Sequence, residues 1–191
     1  DKNLIYVDKT HFIHQLTERG SYFFFARPRR FGKSLLLTML KSYFEGRKEL
    51  FKGLYIYEEE QDWTEYPVVH IDYSLVEYKR GVDVFHKSLR YNLQFNADRY
   101  DIKLKEQGVA DAFIELVTKL QDQFNQKVVI LVDEYDKPMI DMLGKEAQFI
   151  ENREVLRSLY TNFKGLDASL KFVMLTGVSR FSKVSIFSGL N

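Results

Sequence analysis

Eight residues near the start of the chain carry groups that bind phosphate. Residues 27–34 read Arg-Pro-Arg-Arg-Phe-Gly-Lys-Ser and follow the apolar run Tyr22–Ala26. A loop containing Pro and Gly between an apolar run and strong helix formers indicates a buried strand, a tight turn and a helix N-terminus. Backbone N–H groups at such a junction point at an anion, and the helix dipole adds roughly half a positive charge. Gly32 allows close approach of the backbone, Lys33 can reach the β- and γ-phosphates, and the Ser34 hydroxyl can ligate Mg²⁺.

This loop departs from the common phosphate-loop pattern at one position. The pattern has its first glycine five residues before Gly32, where this chain has Arg27. Taken alone, the segment is equally consistent with a helix that starts after a solvated basic turn. However, four of the seven residues from Arg27 to Lys33 are basic in a chain of net charge +1, which favours a local phosphate site over a general polyanion surface. We predict nucleotide contacts from Arg27, Pro28, Arg29, Arg30, Phe31, Gly32, Lys33, Ser34 and Leu35.

Two adjacent carboxylates form a second group with chemical potential. Asp133 and Glu134 follow five apolar β-formers, residues 128–132, a run typical of a strand buried on both faces of a parallel sheet. Ligands of open α/β sheets bind beyond the carboxyl ends of the strands, so both carboxylates should face the phosphates held by Lys33. Asp133 is placed to hold Mg²⁺, usually through water, and Glu134 to orient and polarise the attacking water. The alternative is an ordinary acidic turn, but its occurrence together with a phosphate loop favours catalysis.

A third group follows the last apolar run, residues 170–175. Thr176 at the end of this predicted strand can sense the γ-phosphate. Arg180 can stabilise the transition state, in the same chain or across to a neighbouring subunit of a homo-oligomer, although a surface arginine is an equal alternative. The candidate catalytic residues are Lys33, Glu134, Thr176 and Arg180, and the candidate Mg²⁺ ligands are Ser34 and Asp133.

The composition limits the kind of protein that can carry these groups. With 191 residues, of which 45% are hydrophobic, the chain can bury one substantial core, so residues 1–191 are treated as a single domain. No apolar run approaches the ~20 residues of a membrane span, and no signal peptide is evident. The absence of cysteine excludes disulfides and thiolate metal sites. We expect a soluble, cytoplasmic protein without a membrane partner.

Apolar periodicity predicts the elements that position the three groups. We predict strands at residues 22–26, 67–72, 128–133 and 170–175, and helices at residues 33–44, from Val82, from Val109 and at residues 148–163. A polar stretch at residues 96–108 is predicted to be a long turn. Asp8 or Thr10 is predicted to cap a first helix, and His70 to be a core histidine with satisfied hydrogen bonds.

One further set of residues is aromatic or apolar and precedes the phosphate loop. Tyr6, Val7 and Phe12 are candidates for contacts with the base, because many nucleotide-binding ATPases place adenine against such an N-terminal segment. Ordinary core packing is the alternative for each of them.

The motifs together resemble the bacterial AAA-ATPase-like family. The resemblance is carried by residues 6–10, 27–34, 132–138, 176–181 and 187–191 and covers essentially the whole chain, and the departure at Arg27 is typical of this family. It implies an α/β P-loop NTPase core, a mostly parallel sheet with helices on both faces, in which the strand ending at Thr176 lies between the phosphate-loop strand and the strand ending at Asp133. It also implies ATP and Mg²⁺ as cofactors, and a fifth strand and helical lid that would follow Asn191, so that the domain is truncated at its C-terminus. Members often carry a C-terminal nuclease domain of the PD-(D/E)XK type, which would be a partner in the full-length chain.

Three alternatives to an ATP-hydrolysing domain are also consistent with the sequence. The first is a scaffold module that holds ATP without turning it over. The second is a nucleic-acid enzyme, for which Asp72, Glu77 and Lys79 give a local Asp…Glu-x-Lys pattern, although five residues leave little room for the hairpin such sites use. A small-molecule kinase is a third, but no acceptor-binding segment can be identified.

Overall fold

A computed structural model describes residues 7–179 and contains one four-stranded sheet. All strand pairs are parallel and the order is β1-β4-β3-β2, which confirms the predicted α/β class and the central place of β4. The strands are β1 Tyr22–Ala26, β2 Val68–Asp72, β3 Val128–Asp133 and β4 Leu170–Gly177. All four predicted strands are therefore present.

The register of the sheet brings the carboxyl ends of the strands to one edge. Thr176 of β4 pairs with Phe25 of β1, and Asp133 of β3 pairs with Asp72 of β2. Because side chains two positions apart on a strand point to the same face, Asp133 shares a face with Leu131, and Thr176 shares one with Met174. Leu131 and Met174 belong to the same core cluster. The chemistry-bearing side chains thus share one edge and one face.

Helices cover both faces of the sheet. Ile13, Leu37 and Phe44 pack with Val129 and Leu131 on one face, whereas the alternate residues of β3 pack against α4, α5 and α7 on the other. This alternation explains why every residue of β3 is buried. The helices are α1 His11–Arg19, α2 Lys33–Phe44, α3 Tyr55–Glu59, α4 Val82–Asp98, α5 Val109–Phe124, α6 Lys137–Ile140 and α7 Glu146–Gly165. Within residues 7–179, none of these helices combines the length and the apolar composition that crossing a membrane requires.

The outer edge of β2 is closed by side chains from the end of α4. Asn96 accepts a hydrogen bond from His70 N at 2.8 Å and donates one to His70 O at 3.0 Å, and the Tyr100 hydroxyl accepts one from Val68 N at 2.7 Å. The predicted turn from residue 96 is therefore wrong at its start, because α4 continues to Asp98. The polar side chain of Asn96 points toward the sheet, where it satisfies backbone groups that an edge strand would otherwise expose.

Two further expectations about single residues need correction. The Nε2 atom of His70 is buried and makes no hydrogen bond within the described residues, so this histidine is not satisfied. Thr10 stands at the N-cap position of α1, but its side chain does not cap that helix. Instead, Asp8 accepts hydrogen bonds from Thr10 and from Tyr55 N, and Thr10 Oγ1 accepts one from Ile56 N. Both residues thus hold the N-terminal segment against the start of α3.

Candidate nucleotide-binding site

The loop between β1 and α2 has the backbone shape of an anion site. Arg30 and Gly32 adopt left-handed conformations, with φ of 67° and 75°, so the chain turns sharply before the helix. Arg27 N donates to Gly177 O at 3.1 Å, which ties the start of the loop to the end of β4. The first turn of α2 contains no acidic side chain, so the positive end of the helix dipole is not neutralised by the helix itself.

Lys33 is buried inside this loop. Its ammonium donates to the carbonyl oxygens of Arg27 and Pro28, both at 3.0 Å, so the loop wraps around it. An ammonium carries three protons, and two are used by these carbonyls. One proton is therefore left for a ligand outside the loop. Arg27, Arg29 and Arg30 are exposed around it.

Asp133 and Thr176 are in direct contact at the ends of β3 and β4. Thr176 Oγ1 donates to Asp133 Oδ1, which also accepts a hydrogen bond from Glu134 N at 3.0 Å. Asp133 Oδ2 makes no hydrogen bond within residues 7–179, and the residue is 3% exposed. One carboxylate oxygen is thus fixed by the protein, and within residues 7–179 the other is left for a ligand.

Glu134 has a different surrounding from Asp133. It adopts a left-handed conformation with φ of 52°, and Lys137 N donates to its carbonyl oxygen at 2.9 Å. Its Oε2 lies 3.3 Å from Lys137 Nζ. A small cavity brings Glu134 together with Arg29 of the loop and Val178 after β4, so all three sequence motifs meet there.

Beside this cavity, Asp141 anchors a further set of charges. It accepts a hydrogen bond from the Tyr78 hydroxyl at 2.7 Å and pairs with Lys79 Nζ at 2.9 Å. Burial works against ionisation of Asp141, but the hydrogen bonds from Lys79 and Tyr78 outweigh it and hold the pKa of Asp141 below its ordinary value. Burial, and then the hydrogen bond to Asp141, raise the pKa of Tyr78. Asp141 is therefore an anion at neutral pH.

Asp136 was not predicted as a site residue, yet it joins two of the motifs. It is buried, and its Oδ2 accepts hydrogen bonds from Val178 N at 2.9 Å, Ser179 N at 2.7 Å and Ser179 Oγ at 2.8 Å. A Cβ at Gly177 would lie 2.6 Å from Asp136 Oδ1, so only glycine fits between the strand end and this carboxylate. The signal in the sequence is the spacing of three residues from Asp133, but an Asp before Lys137-Pro138 is equally typical of a helix start.

An apolar pocket of about 400 Å³ adjoins the phosphate loop. Val7 and Phe12, two of the candidates for base contacts, line it together with Phe31 and Leu35. Phe31 and Leu35 are 65% and 54% exposed, so both present apolar surface at the mouth of this pocket. Leu16, Phe25, Leu36, Met39 and Met174 form much of the remaining wall, and Lys9, Arg27 and Gly32 complete it. Tyr6, Arg180 and residues 187–191 lie outside the described residues.

The residues proposed to hold Mg²⁺ suit that ion in their chemistry. Mg²⁺ keeps several waters and usually takes one or two protein ligands in addition to substrate phosphates. Ser34, exposed in the first turn of α2, and the available Oδ2 of Asp133 supply such ligands. Residues 7–179 contain no cluster of three or more His, Cys, Asp or Glu that could hold a metal ion without a substrate.

The residues of the nuclease alternative serve other contacts. Asp72 Oδ1 accepts a hydrogen bond from Ser74 N, and Glu77 Oε1 accepts one from Lys79 N, both at 2.8 Å. Lys79 Nζ pairs with Asp141. These contacts stabilise turns after β2 and give no support to an Asp…Glu-x-Lys site.

The parallel sheet, the phosphate loop and the acidic strand end define a P-loop type of α/β protein. The chain belongs to the AAA-ATPase-like family, whose model, described as "Predicted AAA-ATPase", matches residues 1–187. Family membership supports ATP binding by this chain. A protein of Azotobacter chroococcum mcd 1, described as an uncharacterized protein in the vnfD 5′ region, is 42% identical over 187 residues. The match covers 97% of this chain and 36% of the relative, so the chain spans about a third of that protein's length.

Proposed function

We propose that the chain is a Mg²⁺-dependent ATP-hydrolysing domain whose chemistry takes place where α2, β3 and β4 meet. The observation that carries this proposal is the contact between Thr176 and Asp133 on the sheet edge reached by the Lys33 loop. A phosphate-binding cation and an oriented carboxylate at one strand edge are the two parts that phosphoryl transfer to water requires first.

The loop binds and orients the phosphates. Backbone N–H groups of the loop, the positive end of α2 and the remaining proton of Lys33 all favour an anion at this junction. The exposed arginines, Arg27, Arg29 and Arg30, add positive charge at its rim. The apolar pocket next to Phe31 and Leu35 would hold the base, because an aromatic heterocycle removes their exposed surface from water.

The acidic strand end holds the groups for catalysis. Ser34 and Asp133 would hold Mg²⁺, which when bound neutralises charge on the β- and γ-phosphates. Glu134 would orient the attacking water and accept its proton. Thr176 fixes the direction of the Asp133 carboxylate through its hydrogen bond to Oδ1.

In the full-length protein we propose that this domain regulates a C-terminal domain, and a nuclease is the candidate that the family resemblance suggests. The relative is long enough for such a domain, because only 36% of it aligns with this chain. We also propose that the protein acts in the cytoplasm, that it forms a homo-oligomer and that it can contact nucleic acid.

A scaffold that binds ATP without hydrolysis is the second candidate. It is favoured by the pairing of Glu134 with Lys137, because the ion pair engages Oε2 and leaves only Oε1 to contact a water. The Glu134→Gln variant of the full-length protein distinguishes the two. We expect unchanged ATP affinity and turnover reduced by roughly 10²–10⁴-fold, the usual contribution of a general base. Equal turnover in the variant and the wild type would favour the scaffold.

A further inference from the structure

The side chain of Glu134 is held by one cation. Its Oε2 is buried from solvent and makes no hydrogen bond of standard geometry within the described residues, while Lys137 Nζ lies 3.3 Å away. The backbone bond from Lys137 N to Glu134 O fixes the two residues at a spacing of one turn. The pair is therefore built into the fold of this short segment.

Lys137 is itself held from the other side. Asp141 Oδ2 lies 4.0 Å from Lys137 Nζ, one helical turn further along the chain. Asp141 is fixed in turn by Tyr78 and Lys79, which belong to the segment after β2. The Lys137 ammonium thus lies between two carboxylates. Asp141 is anchored to the segment after β2, and Glu134 lies at the proposed site of hydrolysis.

Stability does not account for this arrangement. The side chains of Lys137 and Glu134 are 26% and 34% exposed, and ion pairs with this degree of solvent access contribute little to folding. The ion pair has a larger effect on the orientation of the Glu134 carboxylate, because a glutamate side chain has several rotatable bonds. A charged neighbour on a fixed anchor restricts them.

We propose that Lys137 is a positioning residue that holds the Glu134 carboxylate in the cavity shared with Arg29 and Val178. This inference rests on the proposed hydrolytic role of Glu134. Lys137 sets the direction of Glu134 through their ion pair, and Asp141 keeps Lys137 in reach. Without the Lys137 ammonium, the Glu134 carboxylate adopts more than one orientation. It then spends less time in the orientation that contacts the attacking water.

The test compares ADP with ADP·Mg²⁺·aluminium fluoride, a mimic of the transferring phosphoryl group, in binding to the full-length protein. In Lys137→Met we expect ADP affinity within twofold of wild type, and affinity for the aluminium fluoride complex reduced on the order of ten- to a hundredfold, because misplaced catalytic groups cost about that much. Lys137→Arg should restore most of the lost affinity. Lys87→Met is the matched control, since Lys87 is an exposed lysine of α4 that does not line the cavity, and it should behave as wild type.

The Glu134→Gln background separates positioning from direct phosphate contact. If Lys137 acts through Glu134, adding Lys137→Met to Glu134→Gln should cause no further loss of aluminium fluoride affinity. An equal loss in both backgrounds would overturn the proposal in favour of direct contact, and no loss in either would overturn it outright. A wild-type protein that does not bind ADP would overturn the proposed function and this inference together, whereas normal ADP binding with unchanged aluminium fluoride affinity in Lys137→Met overturns the inference alone.

Discussion

Thr176 Oγ1 donates its hydrogen bond to Asp133 Oδ1, and this contact joins the carboxyl ends of two neighbouring strands. A hydroxyl carries one proton, so Thr176 cannot donate to a phosphate at the same time. In this state of the protein its role is to orient Asp133. Sensing of the γ-phosphate by Thr176, as the sequence suggests, would require the hydroxyl to leave Asp133 when nucleotide binds.

The first prediction concerns this contact. Thr176→Val keeps the shape of a buried side chain but removes the donor, so it should lower the free energy of unfolding by about 1.5–3 kcal/mol, the range for hydrogen bonds to charged groups. Thr176→Ser keeps the hydroxyl and should lose less than half of that. Urea unfolding at pH 7 measures both variants. Equal stability of Thr176→Val and wild type would show that the contact contributes nothing.

The second prediction concerns the base pocket. Leu35 is exposed at its rim, so Leu35→Ser should fold normally while weakening ATP binding by roughly tenfold, which corresponds to partial loss of one apolar contact of about 1.4 kcal/mol. Binding of inorganic tripolyphosphate, which has no base, should change much less. Leu50→Ser provides a control, since Leu50 is similarly exposed but does not line the pocket. Parallel loss of ATP and tripolyphosphate binding would place the base elsewhere.

The third prediction is a dependence of stability on pH. Burial, and then the nearby Lys41, lower the pKa of His70 below its ordinary value of 6.5, although Asp72 and Asp133 act in the opposite direction. The unfolded chain therefore binds a proton more readily, and stability is lost as pH falls from above 6.5 toward the lower pKa of the folded state. His70→Gln should flatten this loss between about pH 7.5 and 5.5, whereas His86→Gln, on an exposed position of α4, should not. A wild-type slope retained in His70→Gln would assign the effect to other groups.

Much of the fold follows from local sequence patterns, while the contacts between motifs do not. The run at residues 128–132 and the Pro/Gly loop before Lys33 determine their elements through periodicity and turn chemistry, so the sequence predicts β3 and α2 correctly. Asn96 was assigned to a turn because polarity was the only signal, and its inward use depends on the distant backbone of β2. Asp136 is missed as a site residue for the same reason, since its partner Val178 is 42 residues away along the chain. The partners of Lys137 are local, with Glu134 three residues before it and Asp141 four residues after it, so this spacing was a signal in the sequence.

Mg·ATP calorimetry on wild type and Lys33→Ala, with folding checked by circular dichroism, tests whether the Lys33 loop is the phosphate site. Lys33 supplies the ammonium at the centre of the loop and ties the Arg27 and Pro28 carbonyls together. Its loss should weaken ATP binding by roughly tenfold to a hundredfold. This range corresponds to about 1.5–3 kcal/mol, the contribution of a hydrogen bond to a charged group. Lys52→Ala, an exposed lysine outside the loop, should bind as wild type does. Tight Mg·ATP binding by a folded Lys33→Ala protein would contradict the phosphate site on which the whole account depends.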